Sequence, residues 1–228
     1  MTRGPVRPTR AALAALQRAD PALAGALRRH GPFPGFPDAT AARRETHYGA
    51  LARSIVFQQL AGAAASTILR RVCALTPGAA FPTASDLLRL SDETLRGAGL
   101  SRGKLLALRD LAERTLDGRL VLANIARQPD EAVVERLVQV RGIGRWTAQM
   151  FLMFRLGRLD VMPDADLGVQ EGLRRLDRLA VRPGPLEVAE RAAVWAPLRS
   201  VAAWTLWRVA EDGDAAAAAP QRERPSRD

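Results

Sequence analysis

Cysteine is almost absent from this chain. Cys73 is the only one in 228 residues, which excludes an intramolecular disulfide, a zinc site built on paired cysteines and a four-cysteine iron–sulfur cluster. Lysine is as scarce: Lys104 stands alone, and the other 33 of the 34 Lys and Arg residues are arginine. Chemistry that needs a deprotonated side-chain amine therefore has one candidate, because arginine keeps its proton at any physiological pH. The two histidines are His30, beside Arg29 and a Pro/Gly loop and read as a surface residue, and His47, which precedes Tyr48 and is read as capping or packing. No run of about 18 apolar residues occurs, and the basic start MTRGPVRPTR leads into no apolar core of the signal-peptide kind. The expectation is a water-soluble cytoplasmic protein that does not engage a membrane.

Alternating strand-like runs are also nearly missing. Apolar residues instead recur at three- and four-residue spacing, which predicts an all-α fold. Helices are expected at about 9–18, 20–29, 45–59, 61–75, 84–90 (capped by Thr83 or Ser85), after Ser91, and at about 102–117. Further helices are expected at about 121–126, 130–139, 144–156, 166–180, 186–193 and 195–211. Residues 212–228, DGDAAAAAPQRERPSRD, have no packing face and are expected to be disordered.

What the chain has in excess is positive charge. Its 34 Lys and Arg against 24 Asp and Glu give a formal +10, the balance of a polyanion binder, with nucleic acid the default partner. A membrane surface would call for one basic amphipathic helix, whereas the cations here are spread over many segments. Not every arginine need meet a phosphate.

The densest stretch of signals is 137–170. Gly142 and Gly144 flank Ile143 just before a helix that begins near Arg145. Glycines let a chain turn tightly and bring its N–H groups up to a ligand, and a helix N-terminus favours an anion. The pair reads either as a phosphate cradle with Ile143 plugged into the core or as a plain corner between two helices. LRGAGLSRGKLLAL echoes LVQVRGIGRWTAQM: each is helix, glycine-bearing turn with an Arg, helix. Downstream, Asp160, Asp164 and Asp166 are carboxylates that could stabilise positive charge in a transition state or cap the following helix, with Asp164 the expected cap.

Five segments in order, IVFQQL at 55–60, GLSRGK at 99–104, GIGRWTA at 142–148, DVMPDADLG at 160–168 and WAPLRSVAAWTLWR at 195–208, resemble the helix–hairpin–helix superfamily of base-excision DNA glycosylases, and within it the alkylated-base (3-methyladenine type II) branch. The resemblance implies two helical lobes with the active site in the cleft between them: a terminal lobe of 1–44 and 159–211 and a central lobe of 45–158 that carries the hairpin. It implies Asp166 as the catalytic carboxylate and Trp146 and Trp207 as walls of the base pocket. Met150, one turn after Trp146, joins them, while Trp195 and Trp204 are assigned to the core. Gln59 or Leu60 is the wedge that fills the space of an extruded base. Gly142, Gly144, Arg141, Arg145, Arg102 and Lys104 hold the DNA backbone. A structural monovalent cation on the carbonyls of Val138, Val140 and Gly142 is implied, and no other cofactor.

Related bifunctional enzymes carry a lysine where this chain has Trp146, so the reading is a monofunctional enzyme. It would act as a monomer on double-stranded DNA with damaged bases, hydrolysing the N-glycosidic bond of 3-methyladenine and 7-methylguanine. Such bases are cationic and leave as neutral species, so no second acid is required. The rival readings are a non-catalytic helix–hairpin–helix DNA-binding module and a glycosylase for another damaged base.

Overall fold

A computed structural model describes residues 5–36, 45–78 and 80–218, with 213–218 described by backbone alone. The helices along the chain are α1 (Arg10–Ala19), α2 (Pro21–His30), α3 (His47–Phe57), α4 (Gly62–Cys73), α5 (Ala84–Arg89), α6 (Asp92–Gly97), α7 (Arg102–Leu116), α8 (Asp130–Leu137), α9 (Arg145–Phe154), α10 (Leu167–Leu176), α11 (Pro185–Arg191) and α12 (Arg199–Ala218). Among the described residues the β content is one isolated antiparallel bridge, Val6 to Phe36. The all-α expectation holds because the starts are locally encoded. Thr9, Asp20, Thr46, Thr83, Ser91 and Ser101 each accept a backbone N–H from the first turn of the helix they precede, satisfying a donor that has no partner inside the helix.

Two expectations change. The helix expected at 121–126 is only a 3-10 turn, Ile125–Arg127; the segment is too short to offset helix nucleation, and Pro129 follows closely. The last helix continues past 211 through Ala218, because the alanine run has the highest helix propensity of any residue type. The remainder of the expected disordered tail, 219–228, lies outside the described residues.

The chain divides into two compact units, one of 1–6 and 35–158 and one of 7–34 and 159–228. One boundary lies at 158/159. The other lies at 34/35, and Pro5 and Val6 fall with the larger unit. Physically, Val6 and Phe36 exchange backbone hydrogen bonds of 2.6 and 3.1 Å, and the Phe36 ring sits edge-on to Phe154 with centroids 4.9 Å apart.

The larger unit is built around α3, α7 and α9. Leu51, Ile55, Leu108, Leu111 and Leu152 are buried there, each contributing roughly 1.5–3 kcal/mol of transfer free energy. Arg109 on α7 ends α5 by donating to the carbonyls of Leu87, Leu88 and Leu90 at 2.9, 3.1 and 2.7 Å.

In the smaller unit α10 lies directly on α12. Gly172 is the reason they can meet, since a Cβ there would stand far inside van der Waals contact distance of the Leu206 carbonyl oxygen. Asp20, buried, caps α2 and accepts from the Trp195 indole at 2.7 Å and from Arg191 at 2.6 Å. Burial pushes its carboxyl up, but the Leu23 N–H, Trp195 and Arg191 outweigh that and hold it below the usual carboxylate range. His30 is not a surface residue: its side chain is 13% exposed and lies 3.2 Å from Asp212 on α12.

Candidate functional site

The larger unit carries the hairpin between α8 and α9. Val140 donates to the Leu137 carbonyl and Ile143 to the Val140 carbonyl, each at 3.0 Å, and Ile143 is buried as expected. The two glycines play different parts. Gly142 has φ +77, and a Cβ on it would sit 3.1 Å from Ala107 Cβ, so it makes the turn and permits the packing. Gly144 has φ −94 and ψ 175, a conformation open to any residue, and a Cβ there would meet nothing within 4 Å. It caps α9 without a side-chain acceptor, so no capping side chain meets the first-turn N–H groups there. The echo turn is built alike, with Gly99 at φ +106 between α6 and α7.

The expected backbone-binding cations are not equivalent. Arg102 and Arg141 are exposed, although the Arg141 N–H is spent on Asp110 at 2.8 Å. Arg145 forms a bidentate pair with Glu131 at 2.7 and 2.9 Å, and hydrogen bonding by Arg145 holds Glu131 below its usual range. Both partners are more than half exposed, so the pair exchanges readily. Lys104 faces inward: its ammonium donates to the Val56 carbonyl at 2.7 Å, closing the end of α3, and burial lowers its pKa.

Beside the hairpin lies a cavity of ≈ 440 Å³ whose lining includes Gln58, Gln59, Trp146, Thr147 and Met150. Trp146 is 43% exposed and Gln59 takes a left-handed φ of +53, so Trp146, Met150 and one wedge candidate line one cavity; Leu60, the other, is 39% exposed. Gln58, which sequence reasoning passed over, donates to the Gly142 carbonyl at 2.8 Å and to Thr147 Oγ1 at 3.3 Å. Its partners are 84 and 89 residues away, and the Gln pair behind an apolar run was the only local signal. His47 packs edge-on to Phe151 at 5.7 Å and accepts from Arg155, in keeping with a packing role; burial and then the Arg155 charge lower its pKa.

The smaller unit brings Asp166 and Trp207 together. Asp166 is half-buried and is itself the N-cap of α10, its Oδ1 accepting from Val169 N–H at 2.9 Å and from Trp207 Nε1 at 2.8 Å. Asp164 is therefore not the cap. Its carbonyl instead receives the Gln170 amide at 3.0 Å, which fixes the loop so that Asp166 arrives at the helix start. Asp160 is a structural partner: Arg199 grips it at 2.8 Å with two guanidinium nitrogens. Burial raises the Asp160 pKa, but the Arg199 hydrogen bonds and charge outweigh it, leaving the carboxyl below its ordinary range. Gly168 gives clearance, since a Cβ there would lie 2.9 Å from Trp207 Cδ1. Trp195 is fully buried, and Trp204 is half-buried with its ring edge-on to Phe33 at 5.6 Å.

No group of three or more His, Cys, Asp or Glu that could hold a metal occurs among the described residues. Of the three carbonyls expected to hold a monovalent cation, Gly142 accepts from Gln58 and Val140 from Ile143, and each keeps a second lone pair. Among the described residues no helix is long and apolar enough to cross a membrane.

A hairpin with a glycine cradle, followed by a loop that delivers an aspartate to a helix N-terminus, is the pattern of a known family. Residues 52–197 match the model of the HhH-GPD superfamily base excision DNA repair proteins, and the chain belongs to that family. It is 38% identical over 168 residues to DNA-3-methyladenine glycosylase 1 of Schizosaccharomyces pombe, covering 73% of this chain and 74% of that protein. It is 30% identical over 164 residues to an alkylbase DNA glycosidase-like protein of the same yeast, covering 71% and 77%. Among solved structures, S. pombe 3-methyladenine DNA glycosylase in complex with abasic DNA matches with a TM-score of 0.77 at 34% identity, over 87% of this chain and 95% of that one. Bacillus halodurans DNA-3-methyladenine glycosidase matches with a TM-score of 0.79 at 34% identity, over 90% and 91%.

Proposed function

We propose that this chain is a monofunctional DNA glycosylase that flips alkylated purines, 3-methyladenine and 7-methylguanine, out of duplex DNA and hydrolyses their N-glycosidic bond. The observation that carries the reading is Asp166, oriented by Val169 N–H and Trp207 Nε1 at the head of α10 within a chain of the base-excision family. As the C1′–N bond breaks, its electron pair goes to the base and positive charge builds on the sugar. A fixed carboxylate stabilises that charge, by roughly 3–4 kcal/mol if it matches other single electrostatic groups. Water then adds at C1′ and gives up a proton. The alkylated base starts cationic and departs neutral, so no acid is needed to help it leave.

Trp146 occupies the position where a strand-cutting relative has its lysine, and Lys104 is committed to the Val56 carbonyl. An intact abasic site is the product. Trp146 and Met150 offer soft, electron-rich surface to a cationic base, Gly144, Arg102, Arg141 and Arg145 hold the backbone, and Gly142 makes the turn that presents Gly144. Lys104 serves that function indirectly, by finishing α3. The enzyme acts as a monomer on damaged double-stranded DNA, and no step depends on a bound cation.

The test is release of free 7-methylguanine from methylated DNA by wild type and Asp166→Asn. Asparagine is as good an N-cap as aspartate and can still accept from Trp207, so the fold is kept while the charge is removed. Base release should fall by about 10²–10³-fold or more, with abasic-DNA affinity nearly unchanged. Turnover of the variant within a few-fold of wild type would remove Asp166 from its role, and no release by wild type would favour a DNA-binding module.

A further inference from the structure

We infer that Gln58 is a positioning residue that fastens the Gln59–Leu60 tip to the phosphate-binding hairpin, so that DNA gripped by one is met by the other at a fixed distance. The inference rests on the glycosylase reading only for what the tip does with the base. Gln58 is the residue at which α3 ends, with φ −54 and ψ 134, so its side chain leaves the helix and turns toward the hairpin. One amide nitrogen then serves two acceptors, the Gly142 carbonyl at 2.8 Å and Thr147 Oγ1 at 3.3 Å. A carbonyl can only accept, which fixes the orientation of the amide with nitrogen inward. These partners bracket the cradle. Gly142 makes its turn, and Thr147, buried, sits in the first turn of α9.

The residue that follows is strained. Gln59 has a φ of +53, a conformation that L residues other than glycine and asparagine rarely hold unless neighbours enforce it. Gln58 anchors it on one side, and on the other α4 begins at Gly62. A strained, exposed tip held by a half-buried amide is a part whose position matters, and a turn free to relax would not keep it.

The experiment uses the full chain with Gln58→Ala, Gln58→Glu and Thr147→Val. Each is measured on a duplex with 7-methylguanine beside 2-aminopurine, whose fluorescence reports unstacking, and on the same duplex undamaged. Loss of the amide donor should lower the unstacking amplitude and the single-turnover rate by about tenfold, the worth of one hydrogen bond of about 1.4 kcal/mol, with undamaged-duplex affinity within about twofold. Glutamate, nearly the same shape, should be worse than alanine, because it turns an acceptor toward the Gly142 carbonyl; a space-filling role would give the reverse order. Thr147→Val, isosteric and keeping the Gly142 bond, should show a smaller loss of the same kind. Glutamate equal to wild type, or equal losses on both duplexes, would overturn the assignment. If Gln58→Ala fails to fold, the Glu and Val variants still decide it. A wild type that unstacks 2-aminopurine but releases no base would count against the glycosylase reading and leave Gln58 in place.

Discussion

Gly142 and Gly144 are two residues apart and look alike in the sequence, yet a methyl group on each would do different things. At Gly142 the backbone is left-handed and Ala107 is 3.1 Å from where the Cβ would be, so Gly142→Ala should destabilise the fold by about 1–2 kcal/mol and weaken DNA binding only through that. At Gly144 the backbone is ordinary and the space beyond is open. Gly144→Ala should therefore change stability by no more than about 0.5 kcal/mol while lowering affinity several-fold, equally for damaged and undamaged duplexes, because its methyl stands where a phosphate must approach. Thermal melts with titrations on both duplexes check the pair. Unchanged DNA affinity in Gly144→Ala would mean that the phosphate lies elsewhere. Asp166 shows the same economy: one carboxylate caps α10, receives Trp207 and, in the proposed reaction, faces the sugar, so capping and catalysis are compatible roles.

Between elements, what decides the geometry is how closely two helices approach, and a single residue often sets it. α10 rests on α12 at Gly172, and Gly172→Ala would press a methyl into the Leu206 carbonyl. Backbone cannot rotate aside as a side chain can, so the expected cost is at the upper end of about 1–3 kcal/mol, with Tm falling by roughly 2–4 °C per kcal/mol. Because α10 bears Asp166 and α12 bears Trp207, base release should fall along with stability, and calorimetry beside single-turnover rates measures both; a melt like that of wild type would show that the helices have room to part. Such clearances were not legible in the sequence. Helix starts were, since Thr83 and Ser91 act within three residues of themselves, and the hairpin and aspartate segments were legible as ordered motifs. Gly168, Gly172, Gln58 and Lys104 take their meaning from atoms 34 or more residues away along the chain. The choice of Asp166 over Asp164 as cap likewise depended on where Gln170 and Ser200 hold the loop.

Across the whole molecule the 34 Lys and Arg residues overstate the number of cations available to DNA, because many arginines are paired with carboxylates: Arg114 with Asp110, Arg174 and Arg175 with Glu171, Arg191 with Asp20 and Asp177, Arg199 with Asp160. At the hairpin face, Arg102 and Arg141 are exposed, and Arg145 can exchange Glu131 for a phosphate. If these three neutralise one phosphate each, log K against log [salt] should have a slope of about −2.7, at about −0.9 per phosphate on duplex DNA. Glu131 then acts as a built-in competitor. Glu131→Gln should raise affinity for any duplex, since Arg145 no longer has to leave a carboxylate, and it should do so by the same factor for damaged and undamaged DNA because phosphates carry no information about the base. Arg145→Gln should reduce the slope by about 0.9, and adding Glu131→Gln to it should then have little further effect. Fluorescence anisotropy between 50 and 200 mM salt, a range chosen because phosphate contacts are strongly salt-dependent across it, measures slope and affinity together. An Arg145→Gln slope equal to wild type would place Arg145 off the DNA, and a Glu131→Gln gain confined to damaged duplex would mean that this pair acts on the base site and not on the backbone.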